Sequence, residues 1–234
     1  SGLGVQFAQA LAQAGADVVL AARRVEKLND TKALVEALGR RALAVKCDVT
    51  DPGACTAVVQ AAMDEFGRVD VLVNNAGVGT AIPATKETPE QFRSVIELNL
   101  SAGYWMAQAC ARVMQPGSSI VNIASVLGMV SVGLPQAAYA SSKAGVIMLT
   151  KDLAQQWTGR KGIRVNAIAP GYFGSEMTDQ IDDEVINTAV IPRTAYKRLG
   201  RPGELDGALI FLASDASSYV AGITVPVDGG LTIF

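Results

Sequence analysis

Ser119-Ile120-Val121-Asn122-Ile123-Ala124 and Ile163-Arg164-Val165-Asn166-Ala167-Ile168-Ala169 are short, largely apolar runs, and the stretch between them carries a helical pattern from Tyr139 to Thr158. Runs this short and this apolar read as strands buried on both faces, and a helix joining two of them sets them parallel. The same rhythm extends along the chain. Val5 to Ala14 is helix-forming and ends at Gly15, and Asp17 to Ala22 is a β-rich run. Val25 to Leu38 reads as helix, Ala42 to Lys46 as strand, Pro52 to Phe66 as helix and Val69 to Val73 as strand. Pro89 to about Met114 reads as helix, as does Gly203 to Leu212, and Ile223 to Val227 reads as a last strand.

This alternation predicts an α/β fold, a doubly wound parallel sheet, in one domain spanning residues 1–234. Ser1-Gly2-Leu3-Gly4 runs straight into a helical pattern, so we expect the first strand of the sheet to be missing from the chain. From about 171 to 201 the rhythm breaks into Gly, Pro, acidic and scattered apolar residues. A long insertion after a strand predicts a lid over the ligand crevice.

Composition narrows the chemistry. The 234 residues are 50% hydrophobic and 18% charged with a net charge of −2, which leaves no basic footprint for nucleic acid or an anionic membrane. No histidine occurs, which removes Ser-His-Asp hydrolysis and the usual zinc sites, and we expect no metal. Cys47, Cys55 and Cys110 form no CxxC pair and suit a reducing compartment, the cytoplasm by default. Without a signal peptide or an apolar run long enough for a bilayer, the chain reads as soluble.

Tyr139 and Lys143 lie at i and i+4 on one helix face, with Ser125 at the end of an apolar run upstream. A protonated Lys143 would favour the phenolate and draw the Tyr139 pKa from about 10 toward neutrality, where proton transfer is effective.

A second group of residues suits a dinucleotide. Gly2-x-Gly4 at a helix start fits a glycine-rich phosphate turn, where backbone approaches an anion at the helix N-terminus; it also fits an ordinary turn. After Ala21-Ala22 come Arg23 and Arg24, with no carboxylate to favour the ribose of NAD and two guanidiniums for the 2′-phosphate of NADP; the plainer reading is a solvated basic pair. Asp48, beside Val49, is placed to accept from an adenine amino group or to cap the helix at Pro52, for which Asp51 sits closer. Asn74-Asn75-Ala76-Gly77 is either ligand-facing backbone at the carboxyl edge of the sheet or a tight turn.

Taken in order, Ser1-Gly2-Leu3-Gly4, Asp48, Asn74-Asn75-Ala76-Gly77, Asn99, Ser125, Tyr139-x-x-x-Lys143, Pro170-Gly171 and Val227-Asp228-Gly229-Gly230 resemble the short-chain dehydrogenase/reductase family over essentially the whole chain. The resemblance implies a Rossmann-type fold and NADP(H)- or NAD(H)-dependent interconversion of a ketone and a secondary alcohol. It implies Tyr139 as general acid/base, Lys143 as modulator of that tyrosine and ribose ligand, Ser125 orienting the carbonyl and Asn99 organising a water relay. Ser1, Gly2, Leu3 and Gly4, then Arg23, Arg24, Asp48 and Val49, and Asn75, Ala76 and Gly77 become cofactor contacts. Pro170 and Gly171 would run beside the nicotinamide, with Phe173 backbone and Ser175 near its carboxamide.

The segment Val126 to Leu134 and the lid residues Tyr172, Phe173, Met177, Ile181 and Ile186 are apolar, which favours an apolar or aryl ketone or a 3-oxoacyl ester over a sugar. A polyol dehydrogenase and a non-catalytic dinucleotide-binding relative are the alternatives. The resemblance includes ketoacyl reductases, which carry a basic cluster for acyl carrier protein; Val113 to Ser119 has none, which counts against a carrier-bound substrate and leaves Arg160 and Lys161 as the basic residues that could contribute. Val146-Ile147-Met148-Leu149 makes its helix apolar all round, as expected if a second subunit covers the outer face of a homotetramer or homodimer.

Overall fold

The computed structural model describes residues 2–174, 178 and 182–233. Helix α1 (Leu3–Gln13) leads to strand β1 (Val18–Ala22), α2 (Val25–Ala37), β2 (Ala42–Lys46), α3 (Pro52–Phe66) and β3 (Val71–Asn74). Then come α4 (Pro89–Ile96), α5 (Ala102–Ala111), β4 (Ser119–Ile123), α6 (Ala137–Lys161), β5 (Arg164–Pro170), the single turn α7 (Asp183–Val185), α8 (Asp206–Ala213) and β6 (Thr224–Val227).

All strand pairs are parallel, in two pieces: β1 with β2, and β3-β4-β5-β6. Every residue of β4 and β5 is buried, as their largely apolar runs predict, with the polar Asn122 and Arg164 hydrogen-bonded. In β1, β2 and β3 most residues are only partly buried. No β1–β3 pairing is present among the described residues, and the residues of β1 and β3 line one cleft.

A ladder of polar side chains fixes the larger sheet against its helices. Asn74 and Asn122 stand opposite each other in the β3–β4 register. Asn74 Nδ2 donates to Asn122 Oδ1 at 2.9 Å and to the Gly103 carbonyl at 3.0 Å, while Asn122 Nδ2 donates to Thr150 Oγ1 at 2.9 Å. The chain thereby ties β3, β4, α5 and α6 together, and with its amides satisfied it costs little to bury. At the far end of the sheet, buried Arg164 donates to the carbonyls of Leu212 and Ser214, closing the C-terminus of α8.

The helix expected from Pro89 to Met114 is interrupted. A capping box between Thr88 and Gln91 starts α4, but residues 97–101 form a π-helical turn before α5 resumes. Helix α6 is longer than its pattern suggested, beginning two residues before Tyr139 and stopping at Gly162 with φ 67°. Asp51, not Asp48, caps α3, accepting from Gly53 N at 2.8 Å.

Candidate active site

A cleft of about 1790 Å³ opens at the carboxyl ends of the strands and extends between β1 and β3. Its wall includes Gly2, Leu3, Gly4, Arg23, Arg24, Asp48, Val49, Asn75, Ala76, Gly77, Asn99, Ser125, Tyr139, Lys143, Pro170, Gly171 and Phe173. The structure therefore brings together every sequence-predicted site residue except Ser1 and Ser175, which lie outside the described residues, as do Met177 and Ile181.

Lys143 is almost fully buried on α6, and its ammonium donates to the Ile123 carbonyl at 2.8 Å. Nζ lies 5.8 Å from the Tyr139 ring centroid, and a Cβ built on Gly77 would be 3.5 Å from it. Burial lowers the Lys143 pKa to about 8. For Tyr139 the direction differs from expectation: burial raises its pKa, and the hydrogen bond with the Ser125 hydroxyl opposes that rise. Desolvation of a phenol at the foot of a cleft thus outweighs a lysine whose ammonium is engaged with Ile123 rather than with the phenol. Ser125 Oγ also accepts from Leu127 N at 3.1 Å, which fixes the hydroxyl at the end of β4.

Asn99 sits in the π turn, where the extra residue turns its side chain toward the β3 loop. Its amide closes a ring with Val78, accepting from the backbone N at 2.8 Å and donating to the carbonyl at 2.9 Å, and also donates to Ser142 Oγ at 3.0 Å. In this arrangement Asn99 clamps the 75–78 backbone to α6.

The dinucleotide end can be tested against a cofactor on its geometry. Gly2 starts α1 with φ 54° and no side-chain cap, leaving the first amides of the helix facing the cleft. A Cβ on Gly4 would come within 2.9 Å of Asn75 Nδ2, so a larger residue there would have to displace that amide. Arg23 and Arg24 are exposed at the end of β1, and Arg23 is near enough to favour the carboxylate of Asp48. Asp48 is held chiefly by Thr50, whose hydroxyl and backbone N both donate to Oδ1 and lower its pKa. These residues fit an adenine dinucleotide with its pyrophosphate at α1.

Two parts of the expected site have structural duties. The Phe173 side chain is buried among Phe7, Ile168 and Leu205, and its carbonyl accepts from Thr178 Oγ1 at 2.7 Å. Asp228 accepts from Gly230 N, Thr232 N and the Thr232 hydroxyl, making the Val227-Asp228-Gly229-Gly230 segment a turn beside Gly171. Sequence reasoning missed Thr80 and Gln136, which line the same cleft, and counted Tyr172 as an apolar side chain. Gln136 stands just ahead of α6, outside its helical periodicity, which left no signal to find it by.

Comparison with known proteins agrees with this geometry. A family model described as enoyl-(acyl carrier protein) reductase matches residues 1–232. The chain is 39% identical to gluconate 5-dehydrogenase of Gluconobacter oxydans, over 99% of this chain and 91% of that protein. It is 38% identical to the 3-oxoacyl-[acyl-carrier-protein] reductase of Thermotoga maritima, over 100% of this chain and 94% of that one. Among solved structures, gluconate 5-dehydrogenase from Burkholderia cenocepacia, crystallised with NADP and tartrate, superposes with a TM-score of 0.93 at 36% identity, covering 100% of this chain and 92% of that one. With its parallel sheet, its glycine-led cleft and the Ser125, Tyr139 and Lys143 cluster, the chain belongs to the short-chain dehydrogenase/reductase family of oxidoreductases.

Proposed function

We propose that the protein interconverts a ketone and a secondary alcohol with NADP(H), Tyr139 serving as general acid/base. The observation that carries this reading is that Ser125, Tyr139 and buried Lys143 line one cleft together with the glycine turn of α1. Bound nicotinamide supplies or accepts the hydride. Ser125 and Tyr139 both present hydroxyls to the carbonyl oxygen, where charge accumulates in the transition state.

A buried phenol whose pKa is raised keeps its proton at neutral pH, so Tyr139 is poised as the acid for reduction. Alcohol oxidation requires the phenolate and gains as pH rises toward that pKa. Lys143 adds positive charge beside the phenol whenever it is protonated, and its ammonium is within reach of a ribose lying over Gly77. NADP(H) is preferred to NAD(H) because β1 ends in two arginines and no carboxylate. Residues 171–201 act as a lid.

The outer face of α6 supports a homotetramer or homodimer: Met148 is 61% exposed while Val146, one turn of the same apolar run, is buried. The three cysteines are free and buried, which fits a cytoplasmic setting.

Tyr139→Phe tests the assignment. Turnover should fall by roughly 10²–10⁴-fold, the usual worth of a positioned acid or base, while NADPH fluorescence titration shows unchanged binding. Turnover within a few-fold of wild type would remove Tyr139 from the proton transfer.

A further inference from the structure

Helix α6 carries a buried hydroxyl that the acid/base reading leaves idle. Ser142 lies between Tyr139 and Lys143, has no exposure to solvent and does not line the cleft. Its hydroxyl donates to the Tyr139 carbonyl at 2.7 Å, which leaves the oxygen to accept, and it accepts from Asn99 Nδ2 at 3.0 Å. The other Nδ2 proton goes to the Val78 carbonyl at 2.9 Å, and Oδ1 accepts from the Val78 amide at 2.8 Å. Both protons of the Asn99 amide are thus spent, one on α6 and one on the segment that follows β3.

That segment has little else to hold it. Residues 75–82 line the cleft and form neither helix nor strand. Among the described residues, their hydrogen bonds to the rest of the protein are the two that Asn99 makes with Val78. Asn99 reaches both partners from the π turn, and that turn is seated closely on α6: a Cβ on Gly145, three residues beyond Ser142, would lie 2.8 Å from Leu100 Cδ2.

The same pattern of bonds occurs a second time on α6. Thr150, also fully buried, donates to the Val146 carbonyl at 2.8 Å and accepts from Asn122 Nδ2 at 2.9 Å. There the amide belongs to β4 and ties α6 to the sheet, whereas at Ser142 it leads to an irregular segment beside the cleft.

We propose that Ser142 is a positioning residue: through Asn99 it holds residues 75–78, the backbone against which the dinucleotide lies, to the turn of α6 that carries Tyr139 and Lys143. The inference rests on the dinucleotide reading above and adds to it a residue that touches neither cofactor nor substrate. Without this hydroxyl an Asn99 proton loses its acceptor in a place closed to water, and the amide and the Val78 backbone relax together.

Ser142→Ala removes the oxygen and leaves a good helix former. Two readouts need no substrate: exchange of the Val78 amide, by hydrogen-exchange mass spectrometry on peptides covering 75–82, and NADPH affinity by fluorescence titration. In Ser142→Ala the Val78 amide should exchange roughly tenfold faster or more, and the NADPH dissociation constant should rise roughly fivefold or more, as when a buried donor loses its acceptor. Thr150→Val, which deletes the matching hydroxyl, should lower the melting temperature while leaving both readouts within about twofold of wild type. Ser142→Cys, whose thiol accepts weakly, should fall between serine and alanine; it also carries the test if the alanine chain does not fold, unchanged values in it counting against the proposal. Added to Asn99→Ala, Ser142→Ala should cost no further NADPH affinity, because the two residues act in series. Wild-type exchange and affinity in folded Ser142→Ala, equal losses in Thr150→Val, or additive losses in the double variant would overturn the proposal. A wild-type protein that binds no NADPH would remove the dinucleotide reading, while Val78 exchange would still decide whether Ser142 holds the segment.

Discussion

Lys143 shows how much a single side chain is asked to do. Its ammonium is removed from water, satisfied by one carbonyl of β4, and held next to a phenol that burial keeps protonated. Because its pKa falls to about 8 in the folded chain, against 10.5 for a free lysine, the unfolded chain binds the extra proton between those values and folding becomes more favourable as pH rises through them. Near neutrality the charge is present at a cost, one that an anionic or polar ligand against Gly77 would offset. At the opposite end of the cleft stand the exposed Arg23 and Arg24. Replacing Arg23 and Arg24 together by alanine should raise the dissociation constant for NADPH at least tenfold more than that for NADH, by fluorescence titration; equal losses would end the 2′-phosphate assignment. The side chains of Arg23 and Asp48 are exposed, so melting should be little changed.

At the scale of elements, the site depends on how closely the segment after β4 approaches α6. A Cβ on Gly128 would lie 2.6 Å from the Lys143 carbonyl carbon and 2.7 Å from Ala144 N, both backbone atoms that cannot swing aside. Gly128→Ala should therefore destabilise the fold by about 1–3 kcal/mol, as overpacking does, and lower kcat more than it raises KM, because it drives Ser125 and Tyr139 apart. Calorimetry and steady-state kinetics on the purified variant check both. The alternation of elements was legible because β4 and β5 are short, largely apolar runs, and the cluster of Ser125, Tyr139 and Lys143 because Tyr139 and Lys143 lie at i and i+4 of one helix. The π turn at Asn99 was not legible, since one extra residue in a helix leaves no mark in composition. Nor was the packing of Val126 and Val132 with Ile186 and Val190, which joins segments more than fifty residues apart.

Over the whole molecule, the cleft is bounded by two hydrogen-bonded units. Arg23 and Asp48 follow β1 and β2, while Ser125 follows β4 and Lys143 rides on α6 above it. Among the described residues the smaller sheet meets the rest by packing, through α1 on α2 and α3 beside β2. Local opening follows burial, and the strands of the smaller sheet are only partly buried whereas every residue of β4 and β5 is buried. Backbone amides of Val18–Ala22 and Ala42–Lys46 should exchange with deuterium at least ~10-fold faster than those of Ile120–Ile123 and Val165–Ala169, and do so without opening the larger sheet. Equal protection in hydrogen-exchange mass spectrometry would show one cooperative unit. A dinucleotide reaching from Arg23 to Lys143 would touch both sheets, so its binding should slow exchange most in the less buried one, making the cofactor a brace as well as a reactant.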